Sequence, residues 1–210
     1  MKDDKSMPRL LVFLHLIVKQ RALQAELQDA LKTLAVTAVG RVADFQRGLE
    51  GAADAVLTLA PVLAANHLTP RLLGYQNGKA DESYSLVAPE RAPDPAHVRG
   101  VGALDLLGRD GTTAFVNSMT GGRPKVERVT KLEDLLPLLQ MSRVDAVMLP
   151  SRLLAELQAT TQMKLLAREL PTRVGLPAVA VLNSQGNDAL AAVAKLPLSI
   201  TRPFGIDEWR

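Results

Sequence analysis

The run Val36-Thr37-Ala38-Val39, then Asp44 after four intervening residues, then Asp54-Ala55-Val56-Leu57, decides the fold, because it returns later in the chain. Val126-Glu127-Arg128-Val129 is followed after four residues by Asp134, and Asp145-Ala146-Val147-Met148 follows eleven positions after Asp134. Leu149-Pro150 closes the second copy where Leu59-Ala60-Pro61 closes the first. A repeated spacing of this kind is less readily accidental than one short motif. Each copy reads as a strand, a helix start, a turn and a second strand. Asp44 and Asp134 fall near helix starts, where a carboxylate accepts from free backbone N–H groups and opposes the positive end of the dipole. Asp54 and Asp145 open the second strand. A turn or strand-entry hydrogen bond is expected there, since open α/β sheets bind ligands at the opposite, carboxyl edge.

Working outward, Leu10 to Leu16 is an apolar run broken only by His15 that suits a buried parallel strand, and Val18 to Leu34 follows with Leu23, Leu27, Ala30, Leu31 and Leu34 at helical spacing. Val42 to Glu50 reads as a helix with Phe45 and Leu49 inward, Ala53 to Leu59 as a strand, and Pro61 to His67 as a short helix started by proline. Such alternation predicts βαβ units and a mainly parallel sheet. Tyr75 and Tyr84 flank Asn77-Gly78, a hairpin-type turn expected to carry Lys79, Asp81 and Glu82 into solvent ahead of a strand at Tyr84 to Val87. The proline-rich stretch Pro89 to Pro95 reads as a crossover between two lobes, with Val174 to Asn183 as the other crossover or a strand beside it. The expected division is 1–92 with 184–210 as lobe one and 93–183 as lobe two. Phe204 and Trp209 are expected to pin the tail to lobe one.

Composition narrows the function. The 210 residues hold 25 Lys plus Arg and 22 Asp plus Glu, so the formal charge of 25 − 22 = +3 does not suggest a nucleic-acid partner. With 47% hydrophobic and 22% charged residues the chain is of globular type. The absence of cysteine removes disulfides, thiol catalysis and Cys-ligated metals. His15, His67 and His97 lack metal-ligand spacing, no serine stands in a G-x-S-x-G elbow, and no phosphate-binding G-x-x-x-x-G-K pattern is present, so neither a cofactor nor a metal is expected. The longest apolar stretch, Leu10 to Val18, is interrupted by His15 and falls short of the roughly 20 residues that span a bilayer. An exported form would carry its leader ahead of residue 1.

Three segments carry a resemblance. Phe45 to Val56, Leu104-Asp105-Leu106-Leu107-Gly108-Arg109, and Leu135 to Val147 resemble successive steps of the type II periplasmic-binding-protein fold, in an order similar to phosphonate- and phosphite-type receptors of ABC importers. The resemblance implies a two-lobed α/β protein, mainly parallel sheets with flanking helices. It implies a non-enzymatic, extracytoplasmic receptor that traps a small polar or anionic solute in an interlobe cleft and hands it to an ABC permease.

Ligand contacts are expected at the carboxyl ends of strands: His15, Arg41, Thr58, and Ser151, together with Asn117, Ser118, Thr120, Gly121 and Arg123. That last segment reads as a polar loop after a strand centred on Phe115, with hydroxyls and glycine N–H groups offered to an anion. On that reading only Phe115 to Val126 connects two strands of lobe two, which reduces the crossover helix to a turn. The alternatives are a degenerate relative that no longer binds, or a cytosolic effector-sensing domain or cleft enzyme on the same fold.

Overall fold

The computed structural model describes residues 7–14 and 20–210. Contacts divide the chain into two units: residues 1–80 with 176–210, and residues 81–175. The chain thus passes between them at Ala80–Asp81 and at Gly175–Leu176, and the proline-rich stretch Pro89 to Pro95 lies inside the second unit.

Unit 1 begins with Arg9–Phe13 (β1), the helix Gln20–Ala30 (α1), Ala35–Val39 (β2), Val42–Glu50 (α2), Ala55–Leu59 (β3) and Ala60–Ala65 (α3). It continues with Pro70–Tyr75 (β4) and is completed by elements from the chain's end. β1 lies between β2 and β3, parallel to both. Both faces of β3 are buried, which explains its unbroken apolar sequence. β2 is an edge strand, and α1 protects it with glutamines one helical turn apart. Gln28 Oε1 accepts from Val36 N–H at 2.9 Å while its Nε2 donates to Leu34 O at 2.7 Å. Gln24 Oε1 accepts from Ala38 N–H at 3.1 Å, and Gln20 donates to the Ala38 carbonyl. Phe13 and Phe45 stack with ring centroids 5.0 Å apart under the same sheet.

Unit 2 repeats the pattern. It contains Asp81–Pro89 (β5), Gly100–Leu104 (β6), the helix Gly108–Thr120 (α4), Lys125–Val129 (β7), Leu135–Gln140 (α5), Ala146–Pro150 (β8), Leu154–Ala159 (α6) and Leu165–Gly175 (β9). β6 lies between β7 and β8, parallel to both, and antiparallel β5 and β9 extend the sheet beyond β8. Strand orders β2-β1-β3 and β7-β6-β8 are thus the same arrangement in two separate sheets, as the sequence repeat requires.

Unit 1 is then completed by Pro177–Val181 (β10), the helices Gly186–Val193 (α7) and Leu198–Thr201 (α8), and Glu208–Trp209 (β11). β10 is antiparallel to β3 and β4, so both sheets are mixed: a parallel triplet is widened on one side by antiparallel strands. Ala189, Val193, Leu196 and Phe204 join the core around β1, with Trp209 packed against it, so the tail is held as its aromatics suggested. The Asn77-Gly78 turn forms as expected: both residues have positive φ, and Gln76 and Lys79 bridge across it.

Two sequence expectations are corrected here. The strand centred on Phe115 is the middle of α4, a full 13-residue crossover helix, so unit 2 has no shortened connection. Thr112, Val116, Met119 and Thr120 are its buried residues, and this spacing places them on one helical face. Burial of that stripe outweighs the weak helix propensity of its glycines, threonines, serine and asparagine. Glu82, expected in solvent, is only 4% exposed, because β5 begins at Asp81 and carries it into the sheet.

Candidate functional site

In each unit the chain leaves the central strand toward one side and returns to the other, so the topological switch points lie between β1 and β3 and between β6 and β8. Open α/β sheets take ligands at such points, outside the carboxyl ends of the strands. These ends fix which candidate residues are well placed.

In unit 1, Thr58 stands on β3 one residue before its carboxyl end. It is fully buried, and its Oγ1 donates to Phe13 O at 2.7 Å, tying β3 to the end of β1 across the switch point. Arg41 follows β2 and immediately precedes α2 with extended backbone, φ −127° and ψ 142°. Its carbonyl accepts from Phe45 N–H at 3.0 Å, and its side chain is exposed. His15 lies outside the described residues.

In unit 2, β8 ends at Pro150 and the chain turns through Ser151 and Arg152. The Ser151 and Ser85 hydroxyls are 2.8 Å apart. Arg152 Nε donates to Glu82 Oε2 at 2.8 Å, with the arginine side chain 19% and the glutamate 4% exposed. Burial pushes the Glu82 carboxyl above the usual carboxylate range, and the facing Arg152 only partly opposes this. Tyr84, on the same face of β5, has its phenol pushed up by burial and by the Glu82 charge, and so stays protonated. Glu82 Oε1 is buried and has no hydrogen-bond partner among the described residues.

A second polar group forms at the carboxyl end of β6. Asp105 Oδ2 accepts from Arg128 at 2.6 Å, and its Oδ1 accepts from Thr112 Oγ1 at 3.0 Å. Thr112 Oγ1 in turn accepts from Leu107 N–H at 3.0 Å, which fixes the entry to α4. Gly108, with φ 75°, makes this tight entry without a Cβ to strain it.

The segment 117–123 stands elsewhere. α4 runs back along the sheet from the end of β6 to the start of β7, so Asn117, Ser118 and Thr120 occupy its last turns at the amino edge. Gly121 ends the helix in the left-handed conformation, its N–H donating to Asn117 O at 2.9 Å. Ser118 and Arg123 are exposed. Thr120 Oγ1 donates to Val116 O at 3.0 Å inside the helix. The dipole there presents its negative end, which does not favour an anion. The expected anion-binding loop is therefore replaced by a helix C-terminus, and Ser151 is the candidate from unit 2 that reaches the carboxyl edge.

Sequence reading gave no site role to Glu82, which it expected in solvent, or to Asp105, Thr112 and Arg128. Their partners are distant in sequence or hidden by the misread strand, and the one local signal was the spacing of Thr112, Val116 and Met119. Among the described residues no cluster of three or more His, Asp or Glu is arranged to hold a metal ion, and no helix is long and apolar enough to cross a membrane.

The architecture is the two-lobed α/β periplasmic-binding-protein-like fold. Similar solved structures include the VFT2 domain of Bordetella pertussis BvgS, at TM-score 0.63 and 14% identity, covering 94% of this chain and 91% of that one. Holo ArgBP from T. maritima gives TM-score 0.60 at 17% identity, covering 92% of this chain and 90% of the other. A periplasmic His/Glu/Gln/Arg/opine family-binding protein from Silicibacter pomeroyi, in complex with lysine, gives 0.59 at 15% identity, covering 95% and 98%. At these identities the likeness is one of fold. No protein-family model matches the chain, and no curated protein matches it in sequence.

Proposed function

We propose that the chain is a non-enzymatic solute-binding receptor that takes a small polar or anionic solute with the carboxyl-end turns of its parallel strands. The observation that carries this reading is the same β-α-β-α-β module in both units, with a switch point in each sheet. Arg41 and Thr58 supply polar groups at that edge of unit 1, and Ser151 and Arg152 do so in unit 2. Similar structures that include ArgBP and a lysine complex support a small-molecule ligand and add amino acids to the phosphonate-type anions suggested by sequence resemblance. An extracytoplasmic location and an ABC permease as partner belong to the same proposal, and the periplasmic neighbours support the location.

Thermal-shift screening of the full chain against phosphate, methylphosphonate, sulfate, amino acids and polyamines tests the reading. A solute at about 100 times its dissociation constant stabilises the folded protein by about 2.7 kcal/mol. A flat response across the whole panel would reject receptor function.

A further inference from the structure

Glu82 opens a narrower statement about the solute. Tyr84 pairs with Pro150, the last residue of β8, so Glu82 lies two residues beyond that pairing, beside the Ser151–Arg152 turn at the carboxyl edge. Glu82 and Tyr84 alternate onto one face of β5, and the Tyr84 ring meets Phe115 of α4 edge-on at 6.0 Å. The buried carboxylate thus lies on the same face of β5 as Tyr84, with Arg152 on Oε2 and nothing on Oε1 among the described residues.

A buried carboxylate oxygen without a donor is costly, and such groups cluster where a ligand or a chemical step makes use of them. Arg152 already donates to Oε2, so what Oε1 lacks is a donor. A carboxylate or sulfate oxygen offers none and meets repulsion, and a protonated phosphate oxygen offers an O–H but brings its own negative charge against the carboxylate. An ammonium or guanidinium N–H gives the short, charge-assisted bond that a carboxylate favours.

We propose that Glu82 Oε1 receives a protonated amine or guanidinium of the solute. This rests on the receptor reading and narrows its ligand to amine-bearing solutes. Because Oε1 is covered in the structure, the donor reaches it only when the covering chain moves, so binding is coupled to a conformational change.

The test compares L-arginine, L-lysine and putrescine with phosphate, methylphosphonate, sulfate and glutarate, which carry no amine. Melting shifts and calorimetric titration are measured on the full chain and on Glu82→Gln. At least one amine-bearing solute is expected to bind the wild type, and Glu82→Gln is expected to weaken it at least tenfold while circular dichroism stays unchanged. Binding confined to the amine-free solutes, or an affinity within twofold in Glu82→Gln, overturns the assignment and leaves the receptor reading in place. If none of the solutes binds, the receptor reading fails and this assignment fails with it. Should Glu82→Gln not fold, the wild-type contrast between the two solute groups decides.

Discussion

Asp54 and Asp145 perform one task in two sheets. Asp54 Oδ2 accepts from Arg9 N–H at 2.7 Å, and Asp145 Oδ2 accepts from Arg99 N–H at 2.7 Å and Gly100 N–H at 3.1 Å. Each carboxylate, placed just before the last strand of its parallel triplet, holds the entry of the central strand, β1 or β6. The pairing explains why the sequence repeat keeps an aspartate at both places, and it gives them a structural role.

Their environments separate the consequences of removing them. Asp54 is 3% exposed and its Oδ1 also accepts from Asn183 Nδ2 at 2.8 Å, whereas the Asp145 side chain is 40% exposed. Asp54→Ala leaves buried donors unpaired and is expected to cost about 2–3 kcal/mol, while water replaces the lost acceptor in Asp145→Ala at about 1 kcal/mol. Urea denaturation of both variants checks the order; equal losses would contradict it.

Gly186 backs onto the same aspartate. A Cβ at this position would stand 2.1 Å from the Asp54 carbonyl oxygen and 2.9 Å from its carbonyl carbon, so the start of α7 and the entry of β3 would be forced apart. Gly186→Ala is expected to destabilise by about 3 kcal/mol or more, since backbone rather than a flexible side chain must move. At Gly108 a Cβ meets nothing within 4 Å, and Gly108→Ala loses about 1–2 kcal/mol through its positive φ alone. Comparing the two melting temperatures distinguishes packing from backbone strain.

The buried pair in unit 2 predicts a pH dependence. Burial, partly opposed by Arg152, holds the folded Glu82 pKa above its unfolded value, so across that window the folded state binds more protons. Its contribution is fully present below the ordinary carboxylate pKa and is lost as pH rises through the raised one. Asp94, Glu127 and Glu208 are shifted downward by hydrogen bonds from His97, Lys125 and Arg210 respectively and act in the opposite direction, but they do so equally in wild type and Glu82→Gln. The stability of Glu82→Gln relative to wild type is therefore expected to increase with pH above the ordinary carboxylate range. Denaturation midpoints of both proteins at a series of pH values measure it, and a difference independent of pH would contradict the assignment.

The fold was legible where local pattern and tertiary burial agree. Val36 to Pro61 contains β-branched strands, a helix with Phe45 inward and a closing proline, and each forms as read. Legibility failed at α4, where glycines and β-branched residues favour other conformations and only contact with the sheet makes the helix. That one misreading also displaced the candidate site, because it put Asn117 to Arg123 at a strand end. The Glu82–Arg152 pair was invisible for another reason: the partners are 70 positions apart and meet only when β5 lies antiparallel to β8.

The displaced segment gives the sharpest check on where the solute binds. Ser118 is exposed and Thr120 Oγ1 is satisfied by Val116 O within α4, both at the amino edge of the parallel strands. A solute at the carboxyl edge touches neither hydroxyl. Ser118→Ala combined with Thr120→Ala is therefore expected to leave solute affinity within about twofold of wild type and to change stability by about 1 kcal/mol or less, since a threonine hydroxyl bonded to its own helix contributes little. Ser151→Ala, at the carboxyl edge, is expected to weaken the same solute severalfold. Titration of the three proteins with any solute that binds the wild type decides the matter, and a large loss in the double variant would move the site to the end of α4.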